Sequence, residues 1–114
     1  MSAVSGELGA EDVKLVILAR SARARTQASE GAAVRDSDGR TYVATTVALA
    51  SLQLSALQVA VAMAVSSGAL GIEAAAIVGE QSHDTAGTDA LYDISHSIPV
   101  FLARVDGTVV VTTS

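Results

Sequence analysis

The stretch at residues 48–67, ALASLQLSALQVAVAMAVSS, constrains the fold more than any other part of the chain. It is apolar or small almost throughout, and its only larger polar side chains are Gln53 and Gln58. A helix that is apolar nearly all round must be buried on most sides. We therefore predict a central helix that packs on a sheet, with other helices beside it. The alternative is a membrane span, but glutamines and serines interrupt the run and no basic residues flank it.

Length and composition predict one small domain. The chain has 114 residues, of which 50% are hydrophobic and only 3% are aromatic. We expect a flexible tail at residues 1–10, with no signal peptide, and a single domain at residues 11–114. A core of Ala, Val, Leu and Ile buries little area per residue, so we also expect association into an oligomer.

Charge and cysteine content exclude several classes of function. The net charge of −5 argues against non-specific binding to nucleic acid, which needs a basic surface. The chain contains no cysteine, so disulfides and thiolate metal sites are excluded. A cytoplasmic location fits this composition.

The remaining pattern predicts the element order α-β-β-α-β-α-β-β. An amphipathic helix at 12–25 would carry Val13, Val16 and Ile17 on its main stripe. Two Asp-Gly turns, at Asp38 and Asp106, indicate antiparallel hairpins. The apolar segment 71–79 is typical of a central strand. Before the last hairpin, Thr88 would cap a short helix. The predicted strands are 31–35, 40–47, 71–79, 100–104 and 108–112, and the last helix is 89–97.

Two consecutive segments resemble the cytidine deaminase family. GAAVRDSDGRTYVATTVALAS is similar to that family's first hairpin, and LQLSALQVAVAMAVSSG is similar to its catalytic helix. The resemblance covers roughly residues 8–80. The matched positions, without gaps between them, are Gly31, Ala32, Ala33, Asp38, Gly39, Arg40, Ala50, Ser51, Ala56, Ala60, Ala64, Val65, Ser66 and Gly68. The resemblance implies a three-layer α/β/α fold with a five-stranded mixed sheet and a buried central helix.

The family's chemistry needs a zinc ion, a thiolate or imidazole ligand and a glutamate that transfers protons. By register, Ser55 stands where the resemblance implies the first zinc ligand, and Leu57 stands where it implies the glutamate. Thr46 and Ala48 occupy the positions that would hold the ribose. The family's Pro-Cys-x-x-Cys motif has no counterpart after the third strand. We therefore expect these four to be vestigial active-site positions in a non-catalytic protein, without a metal or other cofactor.

Two hypotheses of function follow from this interpretation. The first is a structural, regulatory or protein-interaction module that forms a homodimer or homotetramer, as the resemblance implies. Ser51, Ser55 and Gln58 would then lie at a subunit junction on the central helix, or else pack inside the monomer. The alternative is a protein that binds a nucleoside or another small molecule in the vestigial pocket.

One other group of residues has the composition of a metal site. His83, Asp84, Asp89, Asp93 and His96 follow the third strand. Their spacing matches no defined set of ligands, so we favour an exposed acidic loop and helix. Ser82, His83 and Asp84 carry the side chains of a hydrolytic triad, but adjacent residues rarely converge in the required geometry. An unrecognised hydrolase or deaminase that uses His83, Asp84, Asp89 or His96 stays open as a third hypothesis.

Overall fold

The computed structural model of the chain describes residues 8–80 and 84–113. Three helices and seven strands follow one another in this part of the chain. They are α1 (Ala10–Thr26), β1 (Glu30–Asp36), β2 (Thr41–Thr45), β3 (Val47–Leu49), β4 (Leu52–Leu54), α2 (Ala56–Ser66), β5 (Ile72–Gly79), α3 (Thr85–Ile94), β6 (Val100–Ala103) and β7 (Val109–Thr113).

Five strands form one mixed sheet in the order β2-β1-β5-β6-β7. The β5–β6 pair is parallel and the other neighbouring pairs are antiparallel. The five-stranded mixed sheet predicted from the sequence is confirmed. β5 is the central strand, and all of its residues except Glu73 are buried, as its apolar sequence predicted. The turns at Gly39 and Gly107 have φ angles of 87° and 91°, which the Asp-Gly pairs supply.

Two apolar clusters place helices on both faces of this sheet. Leu15, Val16 and Ala19 of α1 pack on one face against Ala33 and its neighbours. On the other face, α2 and α3 pack against a second cluster. That cluster includes Ala32, Val34, Leu57, Ala60, Ile77 and Leu91. The three-layer α/β/α arrangement is therefore confirmed.

The buried side of α1 differs from the predicted stripe. Leu15, Val16, Ala19 and Ala22 are buried, whereas Val13 and Ile17 are 37% and 55% exposed. The cause is a close approach between α1 and β1: a Cβ atom added to Gly31 would collide with the backbone carbonyl of Ala19. The small residues Ala19 and Ala22 therefore face the sheet together with Leu15 and Val16, and Val13 and Ile17 are left toward the solvent.

The stretch at residues 48–67 is not one helix. β3 and β4 pair as a separate two-stranded hairpin, with Val47 opposite Leu54 and Leu49 opposite Leu52. The helix α2 begins only after Ser55, which is its N-cap. Ser51 therefore lies in the hairpin turn rather than on a helix. Within the described ranges, no helix is long and apolar enough to cross a membrane.

The last helix begins earlier than predicted. Asp84 is the N-cap of α3, and its side chain accepts a hydrogen bond from the backbone N–H of Gly87 at 2.9 Å. Thr88, predicted to be the cap, lies inside the helix and donates its hydroxyl to the Asp84 carbonyl at 2.9 Å. Aspartate fixes the helix start because its carboxylate compensates the unpaired N–H groups there.

Candidate functional site

An open cleft of about 300 Å³ lies where the β3–β4 hairpin, the start of β1 and the start of α2 meet. Its wall is partly polar and partly apolar. The lining residues are Ser29, Glu30, Thr46, Val47, Ala48, Gln53, Leu54 and Ser55. A volume of this size accommodates a small organic molecule.

Three of the four predicted site positions come together in this cleft. Thr46, Ala48 and Ser55 all line it, although they belong to three different segments. Leu57 does not line it. Its side chain is fully buried in the cluster between the sheet, α2 and α3, and its Cβ would lie 2.9 Å from a Cβ added to Gly87. The position that the family resemblance assigns to a proton-transferring group is thus part of the apolar core.

The Ser55 side chain caps the start of α2. Its hydroxyl accepts a hydrogen bond from the backbone N–H of Gln58 at 3.1 Å, and the Gln58 side chain accepts one from the backbone N–H of Ser55 at 2.9 Å. This reciprocal pair is a capping box. It explains why the helix begins here. The polar groups of Ser55, which lines the cleft, are therefore hydrogen-bonded to Gln58.

Thr46, which follows β2, is hydrogen-bonded to the start of β1. Its hydroxyl oxygen accepts hydrogen bonds from the backbone N–H of Glu30 and from the Ser29 hydroxyl, each at 3.2 Å. The backbone N–H of Thr46 in turn donates to the Glu30 carbonyl at 3.2 Å. These hydrogen bonds fix the start of β1 to the segment after β2 at the edge of the cleft.

Glu30 is the cleft residue that the sequence analysis missed. It is only 5% exposed and lines the cleft from the first position of β1. Burial raises the pKa of its carboxyl group, and the negative charge of Asp84 raises it further. The signal in the sequence was a lone acidic residue immediately before the apolar run GAAV. The predicted first strand begins one residue later, at Gly31, so the sequence analysis gave Glu30 no role.

Among the described members of the predicted acidic and histidine cluster, Asp84 acts on the cleft residue Glu30 through its negative charge. Its Oδ2 atom is buried without a hydrogen-bond partner. Asp89, Asp93 and His96 are exposed, and His83 lies outside the described residues. Across residues 8–80 and 84–113, no three His, Cys, Asp or Glu side chains are grouped as they would be around a metal ion.

Comparison with known proteins identifies relatives of this fold. A family model described as "Cytidine deaminase-like" matches residues 8–107. The cytidine deaminase from Burkholderia pseudomallei superimposes with a TM-score of 0.77 and 24% identity, over 89% of this chain and 90% of that chain. For the cytidine deaminase from Mycobacterium leprae the TM-score is 0.66 and the identity 19%, over 85% and 90%. No curated protein has a matching sequence.

Proposed function

Since this chain belongs to the cytidine deaminase-like family, we propose that it is a non-catalytic member that binds a small polar molecule in the cleft and assembles with copies of itself. The observation that carries the proposal is the separation of two positions. Ser55 still lines an open cleft, whereas Leu57 is buried in the apolar core and does not line the cleft. A binding space is retained, while the position for proton transfer is lost.

The residues at the cleft do not fit the zinc ion that the resemblance implies. A neutral serine hydroxyl is a poor ligand beside thiolate or imidazole, and the Ser55 hydroxyl is already an acceptor in the capping box. The chain has no cysteine to supply further ligands. Leu57 has no proton to transfer, a step that contributes on the order of 10²–10⁴ in rate. These residue types support a protein without deaminase chemistry.

Binding is supported by the cleft itself. It is large enough for a nucleoside-sized molecule, and hydroxyl, amide and carboxyl side chains line it beside apolar ones. Such a mixture allows apolar contact with a ring and a few directed hydrogen bonds.

The absence of cysteine also suits a reducing compartment, and we place the protein in the cytoplasm.

Thermal unfolding with a panel of nucleosides tests this proposal, because a ligand that binds only the folded state raises the melting temperature. We expect at least one nucleoside to do so. Ala48→Phe, at an exposed position on the cleft wall, should abolish the shift by filling the cleft. Ala24→Phe, at an exposed position of α1 on the other face of the sheet, is the matched control. A shift that survives Ala48→Phe would place binding elsewhere, and no shift with any nucleoside would contradict the proposal.

Self-assembly is supported by a second observation, an exposed apolar surface on α2 and the β3–β4 hairpin. Leu52 of the hairpin and Met63 of α2 are 48% and 40% exposed. Between these elements lies a groove of about 390 Å³. Its lining residues are Leu54, Val59, Ala62, Met63, Ser66 and Ser67. Covering apolar side chains with a second copy would remove them from water.

Light scattering after size-exclusion chromatography tests the assembly. We expect the wild-type mass to be that of a dimer or tetramer. Met63→Asp should shift it toward the monomer, because a carboxylate in an apolar contact loses its hydration. Ile17→Asp, at an apolar position on α1 that is 55% exposed, should leave the mass unchanged. A wild-type monomer, or equal effects of the two variants, would contradict assembly through this surface.

A further inference from the structure

Glu30 differs from the other buried charged groups of the described chain. The Asp36 side chain is 1% exposed and accepts three hydrogen bonds, from the Asp38 and Arg40 backbone N–H groups and from the Tyr42 hydroxyl. Arg35 pairs with two carboxylates. By contrast, no residue in the described ranges donates a hydrogen bond to the Glu30 carboxylate.

The direction of the Glu30 side chain follows from its place on β1. Alternate residues of a strand share one face, and Ala32 and Val34 lie in the cluster against α2 and α3. Glu30 therefore points to that face, which is also the face of the cleft. Its Cγ lies over Gly79 of the neighbouring strand, at 2.9 Å from where a Cβ would stand. The missing side chain at Gly79 leaves the space that Glu30 occupies.

The surroundings of Glu30 leave its negative charge uncompensated. Among the described residues, the charge that acts on it is another carboxylate, Asp84. One oxygen of Asp84 caps α3 and the other is buried without a partner. Buried acidic groups are normally paired, since an unpaired buried charge is costly. Glu30 in the cleft wall, with the Asp84 carboxylate acting on it and no compensating cation among the described residues, favours a ligand that brings one.

We propose that the cleft binds its ligand through a cationic nitrogen, an ammonium or amidinium group, which donates hydrogen bonds to the Glu30 carboxylate. Such charge-assisted bonds are short and about twice as strong as neutral ones. The apolar part of the ligand lies against Val47 and Leu54 on the cleft wall.

A metal ion fits this site less well than an organic cation. Calcium takes six to eight oxygen ligands, and zinc prefers nitrogen and sulfur. Glu30 and Asp84 are only two carboxylates, and the hydroxyls of Thr46 and Ser55 already take part in hydrogen bonds with the protein. The cleft of about 300 Å³ is also far larger than a single ion. An organic cation uses both the carboxylate and the remaining space.

This inference rests on the proposed function, because it names the chemical class that the cleft takes. Two pairs of probes test it: benzylamine with benzyl alcohol, and benzamidine with benzamide. Each pair has nearly the same shape and differs in charge. Calorimetric titration at about 150 mM salt screens exposed charges. We expect each cation to bind the wild type at least about tenfold more tightly than its neutral partner.

Two variants assign that difference to Glu30. Glu30→Gln should reduce the affinity for the cations about tenfold or more, without loss of folding, because the amide keeps the shape and removes the buried charge. Asp89→Asn makes the same change in net charge at an exposed position of α3 and should have no effect. Equal binding of cations and neutral partners, or unchanged affinity in Glu30→Gln, would overturn the inference.

The outcomes also separate this inference from the proposed function. If a neutral nucleoside binds in a manner that Ala48→Phe abolishes, while none of the cations binds, the cleft is a binding site and the cationic class is wrong. If the cations bind and Ala48→Phe leaves their affinity unchanged, the cleft is not the site and both proposals fail.

Discussion

The Ser55 hydroxyl accepts a hydrogen bond from the backbone N–H of Gln58 at 3.1 Å, and the Gln58 side chain accepts one from the backbone N–H of Ser55 at 2.9 Å. Each residue thereby compensates a backbone donor of the other at the first turn of α2. Ser55, which stands where the family resemblance implies a metal ligand, therefore stabilises the start of α2. Its removal should change stability.

Ser55→Ala should lower the free energy of unfolding by about 1 kcal/mol, within the range of about 0.5–2 kcal/mol found for lost N-caps. Urea denaturation measures this change. Ser51→Ala, at an exposed position of the hairpin turn, is the control and should stay within about 0.5 kcal/mol of the wild type. Equal stabilities of the two variants would contradict the role of the capping box.

Gly87→Ala tests the close packing between α3 and the buried Leu57. A Cβ at this position would collide with Oδ2 of Asp84, the carboxylate oxygen that does not cap the helix, and approach the Leu57 Cβ to 2.9 Å. We expect a loss of about 1–3 kcal/mol in the free energy of unfolding, measured by urea denaturation. Gly71→Ala is the control, because its Cβ would meet no atom closer than 3.5 Å. If Gly87→Ala is as stable as the control, α3 does not pack as closely as described.

Glu30→Gln should make the protein more stable at neutral pH. Burial, and secondly the charge of Asp84, raise the pKa of Glu30 above that of an unfolded chain. The ionised carboxylate is therefore disfavoured in the folded state, and stability falls as the pH rises from the unfolded pKa of about 4.3 through the folded one. Urea denaturation at a series of pH values should show the variant's advantage at pH 7 and its disappearance below about pH 4. An advantage that does not depend on pH would contradict this cause.

Asp36→Asn should have the opposite pH dependence. Burial alone would raise the pKa of Asp36, but hydrogen bonds from the Arg40 backbone, the Tyr42 hydroxyl and the Asp38 backbone outweigh it and lower the pKa. The stabilisation by the ionised carboxylate is present above the unfolded pKa of about 3.9 and is lost as the pH falls through the folded value. We therefore expect the variant to be less stable than the wild type at pH 7. The difference should shrink in acid, and a constant difference across the titration would show that ionisation of Asp36 does not contribute.

The sheet was predictable because its strands have strong local signals. The Asp-Gly turns at Asp38 and Asp106 fix two hairpins, and the apolar segment of β5 identifies a strand covered on both faces. The hairpin β3–β4 was missed because its turn, Ala50-Ser51, lacks the Gly, Asn or Asp that marks a two-residue hairpin turn. The apolar hairpin was therefore indistinguishable from the start of the helix by composition alone. The pattern Ser55-x-x-Gln58 was the available signal, since it is a capping box.

The site was only partly predictable. Family register pointed to Thr46, Ala48 and Ser55, and these three residues line one cleft. Register alone could not show that Leu57 is buried in the core, because the burial of its side chain depends on how α3 packs against α2. Glu30 carried no motif. Its importance comes from burial beside Asp84, which lies 54 positions along the chain and reaches it only through the fold.

Release of ammonia from cytidine is the most direct test of the claim that the fold is kept and the deaminase chemistry is lost. The measurement uses purified protein with zinc added, and one of the deaminases with this fold as the positive control. We predict no release above the uncatalysed rate, because Ser55 and Leu57 supply neither a strong ligand nor a proton. Turnover of cytidine that the Ala48→Phe variant abolishes would contradict the account.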